Sequence, residues 1–238
     1  MKPRIAIIAA LPREVAPLIQ GWRDESDPAR KVFVHISETA IVAYAGMGAA
    51  RAEMAVRQAL QHGPISHLLS VGWAGALKAD YAVGSMHHPA QVIDAATKQK
   101  FATVAGKGTL VSVKRFANAQ EKQALVADFD ADFVDMEAAA VARIAAEQGI
   151  PFAAVKAISD GSDDVLPDLQ SFYTDDGWFR EKAFALHVAL RPGMWSAAMQ
   201  LGRNASASAQ NLCYELDSIL RAYEAGGIEA GGIDDRSE

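Results

Sequence analysis

Apolar residues in this chain gather into short blocks rich in branched side chains. Between the blocks lie longer stretches where they recur every three or four positions. The blocks cover residues 5–10, 32–36, 40–45, 67–71, 108–113, 131–134 and 152–158. Runs of this length and composition predict buried strands, with 32–36 and 40–45 paired as a hairpin. Helical spacing predicts helices over 49–62, 119–129 and 138–148, the last stopped by Gly149-Ile150-Pro151. After Asp168 the blocks cease. Residues 172–190 and 194–223 predict two helices, separated by Arg191-Pro192-Gly193. Strands alternate with helices over two thirds of the chain and helices finish it, an order that indicates an α/β sandwich with a mixed sheet. From Glu224 the sequence turns Gly-rich and acidic, which predicts a flexible tail over 224–238. No linker interrupts the body, so residues 1–223 are expected to form one domain.

The polar residues that break this pattern come directly after the apolar blocks. Leu11-Pro12-Arg13-Glu14 follows the first, and Gly72-Trp73-Ala74-Gly75-Ala76 follows block 67–71. Asp135-Met136-Glu137 follows block 131–134, and Ser159-Asp160-Gly161 follows the last. In open α/β sheets ligands bind in the crevice beyond the carboxyl ends of the strands. If these strands are parallel, all four segments line one crevice, rich in acids and poor in positive charge. Each acid has a plainer reading taken singly. Glu14 and Glu137 suit the first turn of a helix, and Asp160 suits a cap or turn. Their shared placement is what favours a site.

Composition narrows the chemistry. The chain has 238 residues, 50% hydrophobic and 22% charged, which is enough length for a full core. A net charge of −6 argues against a nucleic-acid partner. The single cysteine, Cys213, excludes an internal disulfide and suits a reducing compartment. The opening apolar run is too short for a membrane span and lacks a cleavage pattern, so a cytoplasmic protein is expected. No metal is expected: His87 and His88 are adjacent, and no ligand-spaced His/Cys set is present. Carboxylates without cationic neighbours suit two tasks: holding vicinal hydroxyls such as those of ribose, and donating a proton when burial raises their pKa. An ordinary Asp is protonated only about one part in a thousand at neutral pH; desolvation and a second carboxylate push that fraction up.

At Val134-Asp135-Met136-Glu137-Ala138 and Lys156-Ala157-Ile158-Ser159-Asp160 the chain resembles the nucleoside phosphorylase family. Within it, the chain looks most like the methylthioadenosine/S-adenosylhomocysteine nucleosidases and the phosphorylase-like proteins of hopanoid biosynthesis. The resemblance runs from Ile5 to about Phe172. It implies a three-layer α/β/α sandwich with a central mixed β-sheet, and cleavage of the N-glycosidic bond of a purine nucleoside. It also implies a homo-oligomer, since the family forms dimers, trimers or hexamers. Carried onto this chain, it makes Glu137 the ribose ligand, with Met136 beneath the sugar and Asp135 in the same stretch. Asp160 becomes the proton donor to purine N7, oriented by Ser159, and Glu14 the activator of water. Phe116 falls where the family stacks a Phe on the base, and Met47 where an apolar residue faces the 5′ substituent; a core role suits both equally. Ala74 and Gly75 lie in the family's small-residue turn. Lys156 takes the place of an Arg and is placed by the resemblance among the substrate contacts.

Two departures stand out. The family's Gly-Ser-Ala-Gly turn reads Gly72-Trp73-Ala74-Gly75 here, without the hydroxyl that helps hold water or phosphate. The stretch between Gly84 and Gly108 is shorter than in the nucleosidases, which predicts a more open crevice or a larger 5′ group. Together they leave the nucleophile open. Gly46-Met47-Gly48-Ala49-Ala50-Arg51 offers a backbone cradle for inorganic phosphate as co-substrate, whereas Glu14 would repel an anion and favours water. The same turn is a partial dinucleotide fingerprint, but its third Gly is replaced by Arg51. A non-catalytic nucleoside-binding relative is the remaining alternative, kept open by Trp73.

Overall fold

The computed structural model describes residues 2–164, 170–174, 177–189, 191 and 195–226. An 11-stranded mixed sheet forms the middle layer. Its central strands are β1 (Arg4–Ala9), β4 (Ala40–Tyr44), β5 (Ile65–Ala76) and β11 (Phe152–Asp160), mutually parallel in the order β4-β1-β5-β11. Antiparallel β2 (Arg23–Asp24) and β3 (Phe33–Ile36) extend one edge, and β3 and β4 make the expected hairpin. Farther along the β5 edge that β1 occupies, β10 (Phe133–Asp135) pairs antiparallel, and β9 (Thr109–Ser112), β7 (Gln91–Asp94) and β8 (Lys100–Ala102) continue the sheet from it; β6 (Met86–His87) pairs with β11.

Alternation along each strand sends successive side chains to opposite faces. In β1, Ala6 and Ile8 join one core; Ile5, Ile7 and Ala9 join the other. The first core is covered by α2 (Ala49–Ala59) and α4 (Ala138–Gln148), whose alanines let the helices lie close to the sheet. The second is covered by the short α1 (Pro12–Val15) and by α6 (Trp195–Glu224), through Val15, Leu212, Leu216, Ile219 and Leu220. Burying each such aliphatic side chain contributes about 1.5–3 kcal/mol. A third, smaller core lies under α3 (Ala119–Phe129), where Leu125, Val126 and Phe129 pack on Ile93, Val111 and Val134. The architecture is the three-layer sandwich anticipated from the sequence.

Differences are confined to particular segments. Strand β5 continues to Ala76, five residues beyond its apolar block, where the small Gly75 and Ala76 let β10 approach one edge while β11 follows the other up to Gly75. The helix expected over 172–190 is only α5 (Glu181–Ala189). Before it, Thr174 and Trp178 bond to each other in a tight turn, and Tyr173 bridges to Phe179, so aromatic pairing displaces the helix. Glu224, the first residue of the expected tail, closes α6 and accepts a hydrogen bond from Thr39 at 3.0 Å. Residues 165–169, 192–194 and 227–238, which carry Asp168, the Pro192-Gly193 break and most of the tail, lie outside the described residues. Among the described residues no helix is long and apolar enough to cross a membrane.

Candidate active site

Strand β5 carries the site because one of its edges is incompletely paired. Strand β11 occupies one edge from Leu68 to Gly75. On the other edge β1 pairs with Ile65–Ser70, while β10 arrives from the opposite direction and pairs with Gly75 and Ala76. The parallel order expected of all four segments therefore holds for β1, β5 and β11 and fails for β10. The segments still converge, because β1 and β10 point at each other across Val71–Ala74. The loops that leave them deliver Glu14 and Glu137 into that gap, and the end of β11 delivers Asp160. Together they border a cavity of about 330 Å³, within the size range of small-molecule sites.

Glu14 is buried, 3% exposed, and takes the part of a missing strand partner. Its Oε2 accepts from the amides of Ala10 (2.9 Å) and Leu11 (2.7 Å), and its Oε1 accepts from Trp73 (3.2 Å). Gly72 makes this approach possible: its φ is +130°, and a Cβ there would lie 2.7 Å from Glu14 Oε1. Burial pushes the Glu14 carboxyl above its usual range, while the three amides and the Lys156 ammonium pull it back.

Glu137 stands at the N-terminus of α4. Its Oε1 accepts from the Gly48 amide at 2.7 Å, and its Oε2 lies 3.3 Å from the amide of Met136. Burial, then the neighbouring Asp135 carboxylate, raises it to about 7; Lys156 and the Gly48 amide oppose the rise. Asp135 does not offer free oxygens to the cavity it borders. Its Oδ1 accepts from Ser112 (2.5 Å), and its Oδ2 accepts from Ala138 (3.0 Å) and pairs with Lys156 Nζ (2.8 Å). Lys156 is 1% exposed and lies under the site, bonded also to Ser70, and does not line the cavity. Its expected place among substrate contacts is thus corrected: it neutralises the floor from below.

Asp160 departs from expectation in one respect. Ser159 donates to its Oδ1 at 2.6 Å, as the resemblance implied. The other oxygen, Oδ2, accepts from the ammonium of Lys122 at 2.6 Å, so this acid does have a cationic neighbour. Lys122 also donates to Gly161 O at 2.6 Å and is 3% exposed. A signal for it existed. Lys122 falls on the same helical stripe as Leu125, Val126 and Phe129, so α3 turns a lysine toward the core at the first position of its apolar face.

Met47, Phe116, Ala74, Gly75 and Met136 all line the cavity. An outer wall that the sequence reading missed is aromatic. Phe116 meets Tyr173 (ring centroids 5.4 Å), Tyr173 meets Phe179 (5.0 Å), and Phe179 meets Phe184 (5.4 Å). Arg13 joins them, with its guanidinium 4.6 Å from the Trp73 ring and 5.4 Å from that of Phe179. Burial pushes the Tyr173 phenol up. Nothing in the spacing of 172–184 announces this wall, which depends on the turn that folds Tyr173 onto Phe179. The short stretch after Gly84 contributes no described lining residue; it builds β6, β7 and β8 instead.

In the turn considered for phosphate, three amides are engaged within the protein. The amides of Gly46, Met47 and Gly48 donate to Ala10 O, Gly177 O and Glu137 Oε1. Arg51 turns its guanidinium to Ala45 O and Lys31 O, away from the cavity.

These features can be set beside known proteins. Curated protein sequences gave no match. Among solved structures, futalosine hydrolase of Helicobacter pylori superposes with a TM-score of 0.68 at 20% identity, covering 92% of this chain and 97% of that one. A Helicobacter pylori MTAN mutant with 5′-methylthioadenosine in its active site gives 0.69 at 19% identity, covering 93% and 99%. The Arabidopsis thaliana 5′-methylthioadenosine nucleosidase gives 0.69 at 15% identity, covering 95% and 99%. The fold is shared with these enzymes. The family profile of the phosphorylase superfamily matches residues 4–106 and 90–190, most of the chain, and the chain belongs to that superfamily.

Proposed function

We propose that this protein hydrolyses the N-glycosidic bond of a purine nucleoside, of adenosine type and modified at the 5′ position. The observation that carries the reading is the convergence of Glu14, Glu137 and Asp160 on one cavity, each fixed by its own hydrogen bonds. Glu137 holds the ribose hydroxyls and steadies positive charge as the bond to the base breaks; Met136 underlies the sugar. Asp160, oriented by Ser159, takes the base side, where a proton must reach N7 as the bond between C1′ and N9 opens. Phe116 stacks on the base, and the Ala74-Gly75 backbone passes alongside. Glu14 activates water, since burial brings its carboxyl nearer to neutral pH, where a general base works best.

Water is preferred to phosphate on two grounds: the Gly46–Gly48 amides and Arg51 are engaged within the protein, and two carboxylates flank the nucleophile's approach. The aromatic wall and Met47 supply an apolar surface for the 5′ substituent. The same reading makes the protein cytoplasmic and homo-oligomeric. Leu186, Trp195 and Met199 are exposed on α5 and the start of α6, and they offer an apolar face for association.

The test is direct. Purified protein is given adenosine, methylthioadenosine, adenosylhomocysteine and futalosine, with and without phosphate, and free base is followed. Base release independent of phosphate, and lower by about a hundred- to ten-thousandfold in Asp160→Asn, is expected. Release that requires phosphate overturns hydrolysis. No release from any of them, or equal release from the variant, overturns the catalytic reading for these substrates.

A further inference from the structure

The buried ammonium of Lys122 has no part in the chemistry described so far. Burying a lysine is costly unless its charge is matched, and this is the only fully buried residue of α3. A structural lysine would be expected to spend all its donors inside the protein. Lys122 Nζ carries three, of which two go to Asp160 Oδ2 and Gly161 O. Among the described residues the third has no acceptor, and Lys122 lines the cavity. Asp160, in turn, already accepts on both oxygens, from Ser159 and from Lys122. It is also pinned from behind, since a Cβ on Gly75 would lie 2.9 Å from its Oδ2. The base end of the cavity therefore presents a donor and an acceptor side by side, both rigidly held.

That pair matches one edge of one kind of base. The N7 side of a 6-aminopurine offers an acceptor, N7, beside a donor, the exocyclic amine; a 6-oxopurine offers two acceptors there. We propose that Lys122 donates the proton to N7 while Asp160 accepts from the exocyclic amine, so that the pair selects 6-aminopurine nucleosides over 6-oxopurine ones. This rests on the nucleoside reading above. As the C1′–N9 electron pair passes into the base, an N–H bond of Lys122 breaks and the N7–H bond forms. Glu14 takes a proton from water as the water oxygen bonds to C1′. Glu14 then releases its proton to solvent and Lys122 regains one, so the net change is nucleoside plus water to free sugar plus neutral base. A 6-oxo group would instead face the Asp160 carboxylate and be repelled.

The experiment uses Lys122→Met, which keeps the stem, Lys122→Arg, which keeps the charge, and Asp160→Asn, with thermal melts to confirm folding. Turnover of adenosine and inosine, and of whichever 5′-modified adenosine the wild type cleaves best, is followed across pH. Adenine and hypoxanthine binding are measured by calorimetry on the same proteins. Expected in Lys122→Met are a fall in kcat of about a hundredfold or more with KM little changed, and adenine binding at least about tenfold weaker. Lys122→Arg should recover most of the turnover. Wild type should prefer adenosine to inosine by at least about tenfold, and Asp160→Asn should narrow that ratio. A folded Lys122→Met with wild-type kcat and pH profile overturns the proposal, as does equal use of adenosine and inosine. Should the wild type cleave no nucleoside, the functional reading fails by itself. The present proposal then stands on adenine binding, and falls if Lys122→Met binds adenine as tightly as wild type.

Discussion

The floor of the cavity and its outer wall are built by opposite means. On the floor, every acid is fixed by hydrogen bonds from strands and helix ends: Glu14 by Ala10, Leu11 and Trp73, Glu137 by Gly48, Asp160 by Ser159 and Lys122. The wall has aromatic rings in tilted contact, from Phe116 through Tyr173 and Phe179 to Phe184, on a segment outside the sheet. Hydrogen-bonded carboxylates tolerate little displacement; ring contacts have weaker angular preferences, spread over centroid distances of about 4.5–7 Å, and yield more readily. Under the proposed function the floor carries the reaction, Phe116 takes the base, and the rest of the wall meets the 5′ substituent.

Removing a floor group should have the largest effect. Glu137→Gln is expected to lower kcat by roughly 10²–10³. It should leave the melting temperature unchanged or raised at neutral pH, because a buried carboxylate beside Asp135 is itself unfavourable there. A variant that melts much earlier would instead make Glu137 structural. Gly72→Ala comes next. It strains a residue at φ +130° and drives a methyl into Glu14 Oε1. A loss of about 1–3 kcal/mol of stability, together with most of the activity, is expected from urea melts and turnover. Wild-type behaviour would show that Glu14 is not held as described. Phe179→Ala tests the wall: KM for substrates with an apolar 5′ group should rise on the order of tenfold, while kcat stays within about twofold. A collapse of kcat would merge wall and floor.

The smallest expected effect concerns pH. Glu137 keeps its proton up to about 7. An acceptor for ribose hydroxyls is therefore available only above that, and kcat/KM should climb as pH rises through about 7. The stability sign is the reverse. A raised carboxyl stabilises the fold below its unfolded value of about 4.3, and that contribution is lost as pH rises toward 7. Asp135→Asn should move the acid limb downward, since the Asp135 charge helps hold the Glu137 proton. A limb that stays in place in this variant would assign it to another group.

How far the sequence could be read follows the same division. Strands β1, β4 and β11 were legible because their apolar residues are nearly contiguous and buried on both faces. The short strands β6, β7 and β8 mix polar and apolar residues, and only their pairing makes them strands. The three acids were legible because each interrupts an apolar run. Lys122 was hidden by habit: a charged residue on a helix is counted as solvated unless its angular position is checked against Leu125 and Val126. The wall was hidden for a deeper reason. Arg13, Tyr173 and Phe179 are neighbours only because of a turn whose geometry is tertiary, and the block spacing of residues 172–184 suggested a continuous helix instead.

The unpaired stretch of β5 bears on how such a protein can change over time. Where a neighbouring strand would have met the Trp73 amide, Glu14 does so, and it also holds the amides of Ala10 and Leu11. Each buried donor left without an acceptor costs about 1–3 kcal/mol. A lineage that ceased to need the reaction could not easily discard this side chain, because the sheet would be left with a tear. The presence of Glu14 is accordingly a record of architecture as much as of chemistry. Glu137 and Asp160, which satisfy fewer backbone groups, are the positions where a history of disuse would be written first.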